Sequence, residues 1–296
     1  MLTFYVLQMA LVYATNQQSM KLIFSLLLLL NTFTAISQPY SKADSALADS
    51  FLHRAWRQPL FSSQRDKLLD SALMIIPTHA YYWQQKSMPL YKAWKYEVGR
   101  PYLDSAVKYA PERWLDYAAV MTAMFQKNYK EGLQLFYRAK ANPKCTGYVM
   151  DHPYNFYIGL CHLQLNHIDS SKYYIEGCVN ETIKKRGENW VHPNHFFYLG
   201  IILYEMDDYE KAITTFSKAI KEYKQFADAY YYTAQCYARM GKYKDALANA
   251  ELASQYFKEG YSIREDNTLY EPYPYQMRKY YLDGMLGYLK EKANTN

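Results

Sequence analysis

Long apolar runs are missing from this chain beyond its first 37 residues. No later segment approaches the roughly 18 unbroken apolar residues of a membrane-spanning helix. Glycine and proline are sparse, 11 of each in 296 residues, which excludes collagen-like and proline-rich low-complexity classes. The four cysteines, Cys145, Cys161, Cys178 and Cys236, show no C-x-x-C spacing, so neither a zinc ribbon nor a thioredoxin-like site has support. Charge imbalance is small: 34 Lys and Arg stand against 28 Asp and Glu, a net +6. The longest basic cluster, Lys184-Lys185-Arg186, is too short for a nucleic-acid footprint. No nucleic-acid partner is expected. There is no G-x-S-x-G, no Gly-rich phosphate loop and no H-E-x-x-H. The chain reads as non-catalytic, with no cofactor.

What is abundant is apolar and aromatic. Hydrophobic residues make up 50% of the chain and Tyr alone counts 34, which is ample for a buried core and excludes a disordered chain. Tyrosine buries a ring while keeping its hydroxyl wet, so it suits amphipathic surfaces as well as cores.

The N-terminus reads as an address. Met20-Lys21 precedes the apolar run Leu22 to Leu30, a polar stretch, and Ala35-Ile36-Ser37 before Gln38. A positive start, a short apolar core and small residues at the cleavage point describe a secretory signal peptide. The expectation is a signal peptide over residues 1–37, cut between Ser37 and Gln38. Residues 1–19 carry no charge, so Met20 is the expected true start. No Cys stands at the cut, which argues against a lipoprotein anchor.

The remainder is periodic, and internal repeats decide such a fold. Asp70-Ser71-Ala72-Leu73 followed by Pro77 returns as Asp104-Ser105-Ala106-Val107 followed by Pro111, 34 residues on. Tyr209, Ala212, Phe216 and Ala219 return as Tyr243, Ala246, Ala250 and Ala253, again 34 apart. One small-residue column reads Ala72, Ala106, Ala139, Cys178, Ala219 and Ala253; another reads Gly99, Gly132, Ser171, Ala212 and Ala246. Small side chains are needed where helix axes approach to about 8–10 Å. A third column, Tyr96, Tyr129, Ile168, Tyr209 and Tyr243, supplies apolar bulk between units.

This pattern resembles the tetratricopeptide repeat family, whose 34-residue unit is a pair of antiparallel helices. The resemblance covers roughly residues 43–260. It implies an all-α, right-handed superhelix with helical caps. The units expected are a degenerate N-terminal cap at 38–79 and repeats at 80–112, 113–151, 152–192, 193–226 and 227–260. A Tyr-rich connector and a capping helix follow at 261–296. Insertions are expected near Lys140–Pro153 and Glu181–Pro193, and Gly99-Arg100-Pro101 suggests a helix that starts late, with Pro101 in its first turn.

The resemblance also implies a groove lined by first helices. Carried over by register, it places Tyr81, Tyr91, Tyr117, Met121 and Phe156 there, continued by Phe197, Tyr204, Tyr231, Gln235 and Arg239. Relatives that clamp a C-terminal carboxylate use an Asn where this chain has Met88, Met121, Leu160, Ile201 and Gln235, so that clamp is not expected. Two readings of the stripe stand side by side: it is core, covered by superhelical packing or by the C-terminal segment folding back, or it is an exposed groove for a partner helix or peptide. The resemblance implies a scaffold for another protein, with an envelope assembly as the expected setting. Receptor function for a small ligand or glycan is the alternative.

Two side-chain pairs complete the reading. His192 and His195 are three apart, but no Asp, Glu or Cys accompanies them at a ligand-like interval, so no metal site is expected. Cys161 and Cys178 fall on paired helices of one repeat and form the only conceivable disulfide; a buried free thiol at Cys178 is the preferred reading.

Overall fold

A computed structural model describes residues 40–265 and 267–295. The expected signal peptide, start site and cleavage point lie outside the described residues. The chain divides into two units between Leu47 and Ala48. In the first, the Asp44 amide donates to Ser41 Oγ (3.0 Å) and the Ser41 amide donates to the Asp44 carboxylate (3.1 Å), a reciprocal cap that starts a helix.

Helix α1 (Lys42–Trp56) is followed by α2 (Ser63–Ile75) and then by five helix pairs. These are α3 (Ala80–Lys92) with α4 (Tyr96–Tyr109), α5 (Pro111–Val120) with α6 (Tyr129–Ala141), and α7 (Tyr154–Gln164) with α8 (Ile168–Arg186). The last two are α9 (Pro193–Glu205) with α10 (Tyr209–Glu222), and α11 (Ala227–Arg239) with α12 (Tyr243–Lys258). Helix α13 (Lys279–Thr295) closes the array. The architecture is an all-α superhelix. No helix among the described residues is long and apolar enough to cross a membrane.

The small-residue columns explain the pairing. Ala72, Ala106, Ala139, Ala219 and Ala253 are fully buried, and Cys178 nearly so. A Cβ added at Gly132 would stand 2.6 Å from Ala123 Cβ, and one at Gly200 would stand 2.5 Å from a Phe216 ring carbon. Partner helices therefore meet closely enough that even one methyl is excluded there. The large side chains of the second helices, Leu103, Phe136, Ile175 and Phe216, fill the space alongside and are fully buried.

Each first helix ends in the same way. Trp94, Lys127, Asn166, Asp207 and Gly241 all have positive φ, between 55° and 74°. At four of these corners the following amide reaches back to a carbonyl five residues earlier, as Lys95 to Leu90 (2.8 Å) and Asp208 to Leu203 (3.0 Å). This is the left-handed helix stop that usually selects Gly. Only one of the five is Gly here. At the second corner, Met121–Phe125 form a π turn that continues α5, and Lys127 takes the left-handed position.

Two expectations need adjusting. Helix α4 starts at Tyr96, so Pro101 lies in its interior rather than its first turn. There it leaves the Glu97 carbonyl without an intrahelical donor. The second insertion is largely helical: α8 runs on to Arg186, with Lys184, Lys185 and Arg186 in its last turn, where cations favour the helix dipole. Gly187, at φ 99°, then stops it. In the first insertion, β1 (Tyr148–Val149) and β2 (His152–Pro153) pair antiparallel.

Both ends of the array are covered. Lys86, buried on α3, pairs with Asp66 (2.8 Å) and Asp70 (2.5 Å) of α2. At the other end Leu282 and Leu289 of α13 are buried against α11 and α12. A repeat array needs such caps because its terminal units otherwise expose an apolar face.

Candidate functional site

Most of the groove residues carried over by register are inside the protein. Tyr91, Phe156 and Phe197 are fully buried, Met121 is 2% exposed and Tyr231 is 7% exposed. Phe197 packs among Phe216, Phe226 and Tyr232, and Tyr91 among Tyr96 and Phe125. Tyr81 is half-buried and stacks on Trp114, which Tyr117 meets edge-on. Tyr204 and Gln235 are half-buried, and Arg239 alone of the ten is exposed. At the buried positions the stripe is core, the first of the two readings open in the sequence.

The cover comes from the chain itself. After α12, residues 261–278 run across the first helices and return. Tyr223 OH donates to the Ser262 carbonyl (3.3 Å), and Asn194 Nδ2 to the Arg264 carbonyl (3.4 Å). At the far end the Trp94 indole donates to the Tyr270 carbonyl (2.9 Å), and Lys127 Nζ to the Pro272 carbonyl (2.6 Å). On the way back Tyr198 OH donates to the Pro274 carbonyl (2.8 Å) and Tyr275 OH to Glu205 (2.9 Å). Two of the anchors, Trp94 and Lys127, are the left-handed corner residues. Their backbone conformation carries them beyond the helix end, where the loop passes.

Asp228, the second residue of α11, holds both ends of this loop. Its carboxylate accepts from the Ile263 amide (2.9 Å), the Ser262 hydroxyl (2.9 Å) and the Met277 amide (2.6 Å). It is fully buried. Burial raises its pKa to about 6, against the pull of those three donors. A loop whose ends meet on one buried group is a compact Ω-type excursion.

Beneath the loop lies a cluster of imidazoles. His152, 1% exposed, stacks on Phe156 with ring centres 4.2 Å apart. Its Nδ1 is 3.1 Å from His195 Nε2 and its Nε2 is 2.8 Å from Glu265 Oε1. Asn194 Nδ2 donates to the same Glu265 oxygen at 2.6 Å. His192 caps α9 through its Nδ1, accepting from the Asn194 amide at 3.2 Å. Burial, and next the neighbouring His152, lowers the pKa of His192 to about 4; the same causes push His195 well below its ordinary value. Both are neutral at pH 7. One ligand atom each of His152, His192 and Glu265 lie within 4.8 Å of one another. They border a cavity of about 540 Å³ that Tyr223, Tyr261, Arg264 and Tyr273 also line.

Sequence spacing brings none of this together. The His192–His195 pair drew notice, but the carboxylate that completes a donor set is 73 residues further on, in the loop. Nothing in the local sequence around Asp228, at the start of α11, marks it as a latch. All four cysteines are free, and burial pushes the thiols of Cys161 and Cys178 up to about 12.

Comparison with known proteins agrees with the geometry. Residues 194–266 match the tetratricopeptide repeat family. Among curated proteins, none matches. A tetratricopeptide repeat protein from Parabacteroides merdae superposes with a TM-score of 0.58 at 17% identity, covering 83% of this chain and 89% of that one. The pilF protein of Pseudomonas aeruginosa gives 0.53 at 16% identity over 74% of this chain and 100% of its own. PilW, a type IV pilus biogenesis factor, gives 0.53 at 14% identity over 74% and 92%. At these identities the likeness is one of fold. The repeat is matched in sequence at the fourth and fifth pairs, and the same helix pairing is carried back to Ala80, so the chain has the tetratricopeptide repeat fold.

Proposed function

We propose that this protein is a non-catalytic interaction scaffold, exported to the cell envelope, whose first-helix face takes an extended peptide or helix of a partner. The repeat scaffold is of the kind that serves protein–protein interaction. One observation carries the finer reading. Five side chains of the array, Tyr223, Asn194, Trp94, Lys127 and Tyr198, donate to main-chain carbonyls of the loop at residues 262–274. Donors aimed at backbone oxygens recognise an extended chain largely whatever its side chains are, which is the chemistry of peptide capture. In the free protein that chain is its own.

A partner must therefore displace the loop or lie beside it, and its apparent affinity is reduced by the fraction of molecules in which the face is open. Peptides selected from a display library on an Asp228→Asn, Tyr198→Phe variant provide the test. The reading expects peptides that bind this variant at least about 10-fold more tightly than the parent, and that a synthetic peptide of residues 262–277 displaces. Peptides that bind both proteins equally would move the site to the opposite side of the array or to residues 184–190. Export rests on the signal-like residues 20–38; mature protein from its host should begin at or near Gln38, and an intact Met20 in a cytoplasmic fraction would defeat it.

The second reading, a receptor for a glycan or other small polar ligand, is favoured by the cavity of about 540 Å³ with its tyrosines and charged groups. Oligosaccharide titrations monitored by tyrosine fluorescence separate it from peptide capture.

A further inference from the structure

We infer that His152, His192 and Glu265 form a binding site for a divalent transition-metal ion of the zinc type, assembled only when the loop of residues 261–278 lies on the helices. The two histidines belong to the entrances of the third and fourth repeats, and the carboxylate belongs to the loop. The inference stands apart from the peptide-binding reading and does not depend on it.

The donor atoms lie within 4.8 Å of one another. Around a tetrahedral ion with bonds of about 2.0–2.1 Å, ligand atoms stand about 3.3 Å apart. Small side-chain rotations close that difference. The Glu265 side chain is only 8% exposed, and its ion-pair partner is an imidazole rather than a lysine or arginine. A buried carboxylate ordinarily has a full cationic partner or a metal. The His152 ring is already oriented, since its Nδ1 faces His195 Nε2 at 3.1 Å, the outer contact that fixes a ligand ring while the other nitrogen binds. Asn194 orients the carboxylate in the same way at 2.6 Å.

Imidazole and carboxylate donors without thiolate suit zinc, nickel or ferrous iron better than calcium or magnesium, which prefer all-oxygen shells. On binding, the proton that His152 Nε2 shares with Glu265 passes to solvent and the metal takes its place. His192 gives up its 3.2 Å cap from the Asn194 amide or turns its ring. Three protein ligands leave a fourth position facing the cavity of about 540 Å³. Because Glu265 comes from the loop, the ion would staple loop to helices.

The test uses the mature protein stripped of metal with a chelator that is then removed. Calorimetric titration with Zn²⁺ should show one ion per chain with Kd below about 10 μM, and Co²⁺ should give visible absorption of tetrahedral type. Zn²⁺ should raise the melting temperature and slow proteolysis within residues 261–278. His192→Ala and Glu265→Gln should each weaken Zn²⁺ binding at least about 10-fold, while His167→Ala leaves it unchanged. Melting curves of the metal-free variants verify that they fold. No uptake by the parent, or uptake undiminished in both folded variants, overturns the site.

Discussion

The carboxylate of Asp228 accepts a hydrogen bond from the Met277 amide at 2.6 Å, across 49 residues of chain. Through its other oxygen it accepts from the Ile263 amide at 2.9 Å. One buried side chain of the fifth repeat thus closes a loop that reaches back to the first. Replacing it with Ala strands two amides and a hydroxyl away from water, which costs about 1–3 kcal/mol for each unsatisfied group that does not regain a partner. Asp228→Ala should lower stability and open residues 261–278 to protease before the helices unfold. Cleavage that begins in the helices would mean the loop is held elsewhere.

Asp228 and His192 should oppose each other in pH dependence. Burial raises the Asp228 pKa to about 6, so its contribution is full below the unfolded value near 4 and is lost as pH rises through 6. His192 is lowered to about 4, so its contribution is full above about 6.5 and is lost as pH falls through 4. Stability in metal-free buffer should therefore fall more steeply on acidification in Asp228→Asn than in the parent, and less steeply in His192→Asn. Parallel curves for all three proteins between pH 4 and 6.5 would contradict this assignment.

Helix contacts are testable with single methyl groups. Gly132→Ala places a Cβ 2.6 Å from Ala123 Cβ and should destabilise by about 1–3 kcal/mol through overpacking. Gly177, within α8, has nothing within 4 Å of an added Cβ. Gly177→Ala should instead stabilise by about 0.5–1 kcal/mol, because the unfolded chain loses freedom. Denaturant melts with unchanged m-values decide both.

Phe197 and Arg239 separate core from surface within the first-helix stripe. Phe197→Ala removes a fully buried ring and should cost about 3–5 kcal/mol. Arg239, exposed at the end of α11, should change stability by less than about 0.5 kcal/mol on truncation, so any loss of partner binding there reports contact. If Phe197→Ala melts like the parent, its ring is not core.

Thiol labelling checks the interior. Cys161, Cys178 and Cys236 are buried, with pKa values of about 12, whereas Cys145 is half-buried. A thiol reagent at pH 8 should label Cys145 alone in the folded protein and all four after unfolding. Two fewer thiols in unfolded, unreduced protein would indicate a Cys161–Cys178 disulfide.

The sequence alone determined the helix pairs and their contacts. Its small-residue columns, at Ala72 through Ala253 and Gly99 through Ala246, mark the same close approach in every repeat, and a contact made by each unit with its neighbour leaves a periodic trace. It also marked where that period ends, near Gly260. Its groove register found first-helix positions without saying what covers them, since an aromatic stripe looks the same whether it faces a partner or the chain's own end. Only the tertiary structure brought Trp94 to Tyr270, Asp228 to Met277, and Glu265 to His152. Each of these contacts occurs once, between residues from 49 to 176 positions apart. A contact made once leaves no period, and the loop that makes most of them carries no helical pattern to be read.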